Sequence, residues 1–287
     1  MKTKKRDFLF YLAPPGFWLF IFFFIPLVLI AGYAFAIKDA YGGIKEGFTF
    51  ENFSQVFEPL YLGVFVRSLL VSFGVTVTTV LLGYPVAYYL SFTRSRLKYF
   101  LLFCITLPLW TNFLVKVYSF IILLGENGLV NNFLIWCGLV DKPLALINNT
   151  FSLFLSFVYI NLPFLIMPVY ASLDKIDHSY IEASQDLGAG RVKTFWKIIV
   201  PWSAPGLAAG IVFVFVPTLT NFLVPEFLGG INNYMIGNLI TQQFSHARNL
   251  PLGAAFSSII VLLVVILTAA YLKYFNPYTQ HEDSNER

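Results

Sequence analysis

Asn112, Lys116, Asn161, Thr218, Thr220, Asn221 and Glu226 carry amide, hydroxyl or charged groups inside or at the ends of long apolar runs. A polar group in such a run is costly unless it finds a partner. These residues therefore either bond one helix to another or line a route for a polar solute. Asn112 and Lys116 are four apart and share one helical face. Trp110, Tyr118 and Tyr159 add aromatic faces to the set. This is binding chemistry, not bond-making chemistry. His178, His246 and His281 are scattered over loops and tail, pair with no acid at metal spacing, and read as solvated surface residues. Cys104 and Cys137 form no CxxC or metal-spaced pattern and read as two buried thiols. No GxxxxGK[ST] phosphate loop occurs, so the chain has no nucleotide site of that kind.

Composition says what solvent surrounds these groups. The 287 residues are 57% hydrophobic and 12% charged, with a mean hydropathy of +0.72. A soluble domain carries roughly 25% charged residues. Half that charge leaves too little polar surface for water, and the bilayer is the alternative. A helix crosses it with about 20 apolar residues. Such runs fall at Phe8–Ala36, Ser68–Phe92, Tyr99–Leu124, Phe151–Leu173, Ala204–Pro225 and Leu252–Phe275. They are long and, apart from the polar residues that interrupt the third, unbroken, unlike the roughly ten-residue alternating strands of a membrane barrel. The stretch Asn132–Val140 is too short to span. The first run follows Lys2, Lys4, Lys5 and Arg6 and is longer than the roughly 7–15 residues of a secretory h-region. It reads as an uncleaved helix shaped by Pro14, Pro15 and Pro26.

Lys and Arg set the orientation. They gather at the N-terminus, at Arg94, Arg96 and Lys98, and at Lys175, Arg191, Lys193 and Lys197. The alternate loops hold Lys38, Lys45 and Arg67, then Lys142, then Arg248. The bias places both termini in the cytoplasm, as an even number of spans requires. The expected organisation is a single transmembrane domain over 1–287, with a core at about 68–275, a cytoplasmic loop at 174–203 and a polar tail at 276–287.

That loop is long enough for two short helices. Ser179 and Glu182 have S-x-x-E capping-box spacing, which starts a helix at Ser179. Ile181, Ala183, Ser184 and Leu187 give it a weakly apolar face, and Gly188 and Gly190 end it. A second, amphipathic helix carries Val192, Phe195, Trp196 and Ile199 on one side and Lys193 and Lys197 on the other. Pro201 is expected to stop it, with Ser203 and Pro205 opening the fifth span.

Glu182-Ala183-Ser184, three residues, Gly188, nine residues, then Ile198-Ile199-Val200-Pro201 resembles the EAA loop of ABC-importer permeases. That family's pattern is Glu-Ala-Ala, three residues, Gly, nine residues, Ile-x-Leu-Pro. Ser184 replaces the second Ala and Val200 the Leu, both mild departures. The wider likeness covers almost the whole chain and is similar to the spermidine/putrescine permeases of that family. It is carried by Leu82-Gly83-Tyr84-Pro85, Leu107-Pro108-Leu109-Trp110-Thr111-Asn112, Leu187-Gly188-Ala189 and Val224-Pro225-Glu226-Phe227-Leu228-Gly229-Gly230. Ile236-Gly237-Asn238 and Pro251-Leu252-Gly253-Ala254-Ala255 add to it.

The resemblance implies an all-α membrane protein of six spans with the type I, MetI-like, importer-permease fold and a cytoplasmic coupling helix. Glu182, Ala183, Ser184, Asp186, Leu187, Gly188 and Pro201 would then form the surface that docks on a separate ATPase. The implied partners are a second permease subunit forming a heterodimer, two copies of an ABC ATPase, an extracytoplasmic substrate-binding protein and the lipid bilayer, with no nucleic acid. No cofactor would bind this chain, and ATP and Mg²⁺ would sit on the ATPase. A polyamine route calls for carboxylates, carbonyls and aromatic faces, and Trp110, Asn112, Tyr118, Tyr159, Asn161, Asn221 and Glu226 could supply them. Lys116 is an awkward neighbour for a cation. It either snorkels outward or pairs with an acid of the second permease. An importer permease for an amino acid or an anion, a secondary transporter and a membrane enzyme stay open as alternatives. The EAA-type loop and the absence of an obvious repeat weigh against the second, and the missing acid, His or metal cluster against the third.

Overall fold

The structure, a computed structural model, describes residues 13–39, 43–93 and 96–275. The basic residues Lys2 to Arg6, Arg94, His281 and the tail from 276 lie outside them. Helix α1 runs over Ala13–Tyr33, followed by a hairpin of β1 (Ile37–Lys38) and β2 (Ile44–Lys45) and the short α2 (Glu51–Val56). Then come α3 (Pro59–Phe92), α4 (Leu97–Trp110), α5 (Phe113–Leu124), α6 (Leu129–Trp136) and α7 (Thr150–Leu173). The loop helix α8 (His178–Asp186) leads into α9 (Arg191–Thr220). A π turn (Pro225–Gly229), a 3₁₀ turn (Ile231–Asn233), α10 (Ile236–Ser245) and α11 (Leu250–Phe275) complete the order. Among the described residues 6 helical segments are long and apolar enough to cross a membrane: Ala13–Tyr33, Pro59–Phe92, Phe113–Trp136, Thr150–Leu173, Arg191–Thr220 and Leu250–Tyr274.

The expected third run, Tyr99–Leu124, is two helices. Pro108 removes a donor near the end of α4, Thr111 is extended (φ −82°, ψ 144°), and the Asn112 side chain accepts the Leu114 N–H at 2.8 Å to start α5. The stretch read as too short to span contributes α6, joined to α5 through Gly125–Gly128. Helix α3 begins nine residues ahead of its expected start, because Pro59 opens it and the largely apolar stretch from Leu60 to Val66 continues the turns into the expected run.

The chain divides into two compact units. The first comprises Met1–Gly63 and Leu239–Leu263. Within it, the register pairs Ile37 with Lys45 and Lys38 with Ile44. Phe35 stacks on Phe48 at 5.0 Å and meets Phe50 and Phe53, while the buried Asn52 donates to the carbonyls of Ala34 and Ala36. Helix α1 has no buried residue in its apolar window and carries a π turn at Phe20–Phe24, just before Pro26.

The second unit, Val64–Asn238 and Val264–Arg287, is organised on the pair α7 and α9. Gly206 and Gly210 of α9 form a G-x-x-x-G seam against α7. A Cβ at Gly206 would overlap the Pro168 carbonyl and the Ser172 side chain, and one at Gly210 would lie 2.8 Å from a Leu165 methyl. Only glycine lets these backbones approach so closely. Val75, Leu90, Val117, Leu153, Leu165 and Val214 pack the core around the seam. Cys104 and Cys137 are exposed, which corrects the expectation of buried thiols: their apolar surroundings are the bilayer and its interface, not the protein interior.

Candidate coupling loop and translocation face

Asp174, at the end of α7, accepts from Lys98 Nζ at 2.7 Å, and that ammonium also lies 5.1 Å from the centre of the Tyr170 ring. Asp177 then caps α8, its carboxylate accepting the Ser179 N–H at 2.9 Å. This corrects the expected box at Ser179 and Glu182. An ionised aspartate is a strong N-cap, and its extended backbone (φ −68°, ψ 131°) turns the chain into the helix two residues ahead of Ser179. Hydrogen bonds from the Ser179 N–H and then from its hydroxyl hold the Asp177 carboxyl below the usual carboxylate range. The His178 ring sits edge-on to Phe92 at 5.8 Å, so it is partly packed and not simply solvated, whereas His246 is exposed.

Helix α8 ends in a Schellman motif. Gly188 takes φ +78°, its N–H donates to the Gln185 carbonyl at 2.9 Å, and the Ala189 N–H donates to the Ser184 carbonyl at 3.0 Å. The weakly apolar face expected for α8 splits. Glu182, Ala183, Asp186 and Leu187 are exposed, Leu187 by 89%, while Ile181 is half-buried and Ser184 is buried. Ser184 Oγ lies 2.8 Å from Thr194 Oγ1. The loop therefore presents Glu182, Ala183, Asp186, Leu187 and Gly188 outward and turns Ser184 toward its own second helix.

Pro201 does not stop that helix. Residues 191–220 are continuous, with a π turn at Phe195–Ile199 in which the Val200 N–H donates to the Phe195 carbonyl. Pro201 has no N–H for the carbonyl four residues back, and its ring crowds that carbonyl. The wider π turn before it absorbs both defects, as the π turn before Pro26 does in α1. Ser203 and Pro205 are thus interior residues. Ser203 Oγ lies 2.9 Å from the Tyr84 hydroxyl, and Phe195 packs edge-on to Tyr84 and Tyr88.

The polar residues of the spans have separate fates. Asn161 is buried and donates to the Phe157 carbonyl at 2.8 Å and to Thr218 Oγ1 at 3.1 Å, tying α7 to α9. Asn221 ends α9 in extended backbone and accepts the Val224 N–H at 2.9 Å. Asn112 caps α5. These amides hold helices and helix ends. Lys116, one turn into α5, has no ion-pair partner among the described residues. Trp110 is 89% exposed at the end of α4. Tyr118 meets Phe227 at 5.5 Å, and Tyr159 meets Phe120 at 5.4 Å. The Glu226 carboxylate is exposed and accepts from Asn238 Nδ2 at 3.0 Å. Sequence reading missed Asp177, Thr194 and the Gly206–Gly210 seam. The last had a readable signal, small residues four apart in an apolar run.

The family described as binding-protein-dependent transport system inner membrane component matches residues 79–281, which take in the loop, the seam and every polar span residue above. The chain belongs to this family of permeases. The permease is 36% identical over 254 residues to the spermidine/putrescine transport system permease protein PotB of Salmonella typhimurium (strain SL1344), covering 88% of each chain. It is likewise 36% identical to PotB of Escherichia coli (strain K12), covering 92% of that protein. With the inner membrane ABC transporter permease protein YdcU of Escherichia coli (strain K12) it shares 33% over 276 residues, 92% of this chain and 87% of the other. A chain of the bacterial alginate ABC transporter in complex with an alginate pentasaccharide-bound periplasmic protein superposes with a TM-score of 0.73 at 20% identity, covering 97% of each. At that identity the likeness concerns fold alone, and the fold is that of a type I ABC importer permease. The permease is therefore a multi-pass inner-membrane transport subunit of a binding-protein-dependent ABC system.

Proposed function

We propose that this permease carries spermidine and putrescine into the cell, driven by a separate ATPase that docks on α8. The reading rests above all on its 36% identity to spermidine/putrescine permeases over 88% of the chain. The exposed row Glu182, Ala183, Asp186 and Leu187, closed by the left-handed Gly188, supports the docking half. Small and acidic groups with one protruding leucine suit insertion into a groove. In this reading the termini and α8 are cytoplasmic, and the complex holds a different second permease, two ATPase copies and an extracytoplasmic binding protein. ATP and Mg²⁺ sit on the ATPases. Trp110, Tyr118, Tyr159 and Glu226 offer aromatic faces and a carboxylate along the route.

One observation favours a second reading. Lys116 is a cation without an acidic partner among the described residues, which suits an anionic solute better than a polyamine. ATP hydrolysis in lipid discs separates the two. The complex is assembled with its neighbouring subunits and given the binding protein loaded with spermidine, putrescine or an amino-acid control. Stimulation by the polyamines alone supports the first reading, and stimulation by another solute discards it. Lys116→Gln leaves or raises polyamine uptake in the first reading and abolishes anion uptake in the second.

A further inference from the structure

The turn between α8 and α9 has little packing of its own. An added Cβ at Gly188 or Gly190 would meet nothing within 4 Å. Such a turn lets two helices pivot unless something inside ties them. Ser184 and Thr194 are 8% and 2% exposed, and their hydroxyl oxygens are 2.8 Å apart. Thr194 also donates to the Gly190 carbonyl at 3.3 Å. A hydroxyl has one proton to give. With that of Thr194 committed to Gly190, Ser184 is the donor to Thr194, and the order runs Ser184 to Thr194 to the Gly190 carbonyl. Position 184 is where the importer-permease pattern has alanine.

We propose that the Ser184–Thr194 hydrogen bond is a strut that makes α8 and α9 turn together, so that both are positioning residues for coupling. The proposal rests on the reading of α8 as the ATPase-docking helix. The strut lies beneath the docking surface, and a push on Leu187 reaches α9 through it. Without it, part of the push is spent on flexing the Gly188–Gly190 turn.

The substitutions differ in what they leave behind, although each breaks the same bond. Ser184→Ala leaves Thr194 bonded to Gly190, so no polar group is stranded, and the family's own residue is restored. Thr194→Val removes the acceptor from a buried hydroxyl. Thr194→Ser, the control, keeps the bond. Two readouts test the strut in the full-length permease: spermidine taken up per ATP hydrolysed by the assembled complex in proteoliposomes, and the mobility of a spin label at Leu187→Cys. The label is placed in a Cys104→Ser, Cys137→Ser background, with the permease alone in lipid discs. Ser184→Ala and Thr194→Val are expected to lower uptake per ATP by about fivefold, the factor one net hydrogen bond gives an equilibrium. The double variant should be no worse than either single, the label more mobile in each, and Thr194→Ser should behave like the parent. Unchanged label mobility in Ser184→Ala overturns the strut, and so does raised mobility with an unchanged uptake ratio. If the parent complex takes up no spermidine while the label loosens as expected, the polyamine reading falls and the strut stands.

Discussion

The α7–α9 pair and the α8 loop are joined end to end, yet they are held by opposite means. The pair is fixed by contact: 61% of the apolar window of α7 is buried, and Gly206 and Gly210 bring backbone against backbone. The loop is fixed by polar closures, Asp177 at the start of α8, Gly188 at its finish, and Ser184 bonded across to Thr194 of α9. Where lipid surrounds the helices, hydrophobic burial gives little drive for association, and close packing must do the work. Where water surrounds the chain, a short helix is marginal without caps. Each segment uses what its solvent leaves available.

Breaking the contact should cost most. Gly206→Leu drives a side chain into the Pro168 carbonyl and Ser172, and overpacking of this kind costs about 3 kcal/mol. Thermal unfolding in detergent should show a large fall in Tm or no folded protein. Gly188→Val comes next. A β-branched residue at φ +78° pays the left-handed penalty of roughly 1–2 kcal/mol, with no clash to add to it. The bundle should melt near its normal temperature while ATPase co-purification fails. Gly188→Asn, which tolerates that region, should retain docking.

Thr218→Val should be milder. It removes one hydrogen bond from Asn161 between spans, worth about 0.6 kcal/mol on average, and a small loss of Tm would sharpen the claim that glycine contact, not polar glue, dominates this pair. The smallest effect concerns acid. The folded Asp177 carboxyl is held below its ordinary range, so its capping contribution is full above that range and is lost as pH falls through the folded value. Exchange of the Ser179 amide should therefore quicken in acid in the parent and be insensitive to pH, once intrinsic exchange is allowed for, in Asp177→Asn.

Much of this was legible in the residues. Apolar run lengths gave five of the six span positions, the third being displaced to Phe113–Trp136, and the Gly188 spacing gave the end of α8, because both depend on local composition. The break at Thr111–Asn112 was legible only in part: polar residues interrupt that run, but Pro108 and Asn112 are each compatible with an intact helix, and nothing in their spacing shows that the chain turns extended between them. Pro201 misled for a related reason. A proline ends a helix when nothing repairs the lost bond, and the π turn that repairs it carries no mark of its own in Phe195–Ile199. The amides Asn112, Asn161 and Asn221 were rightly singled out as polar groups in apolar runs, but their partners are backbone N–H groups, a carbonyl and a hydroxyl that sequence spacing does not expose.

The seam between α7 and α9 also governs which degrees of freedom remain. Two helices in backbone contact at Gly206 and Gly210 have little room to slide past one another there, so close packing holds them as a unit. Any rearrangement that opens first one side of the membrane and then the other has to be taken up elsewhere along the chain. The extended residues Thr111 and Asn221 are where the helical ladder is interrupted and an asparagine side chain restarts it, so the rigid pair ends at Asn221 and α4 is uncoupled from α5 at Thr111.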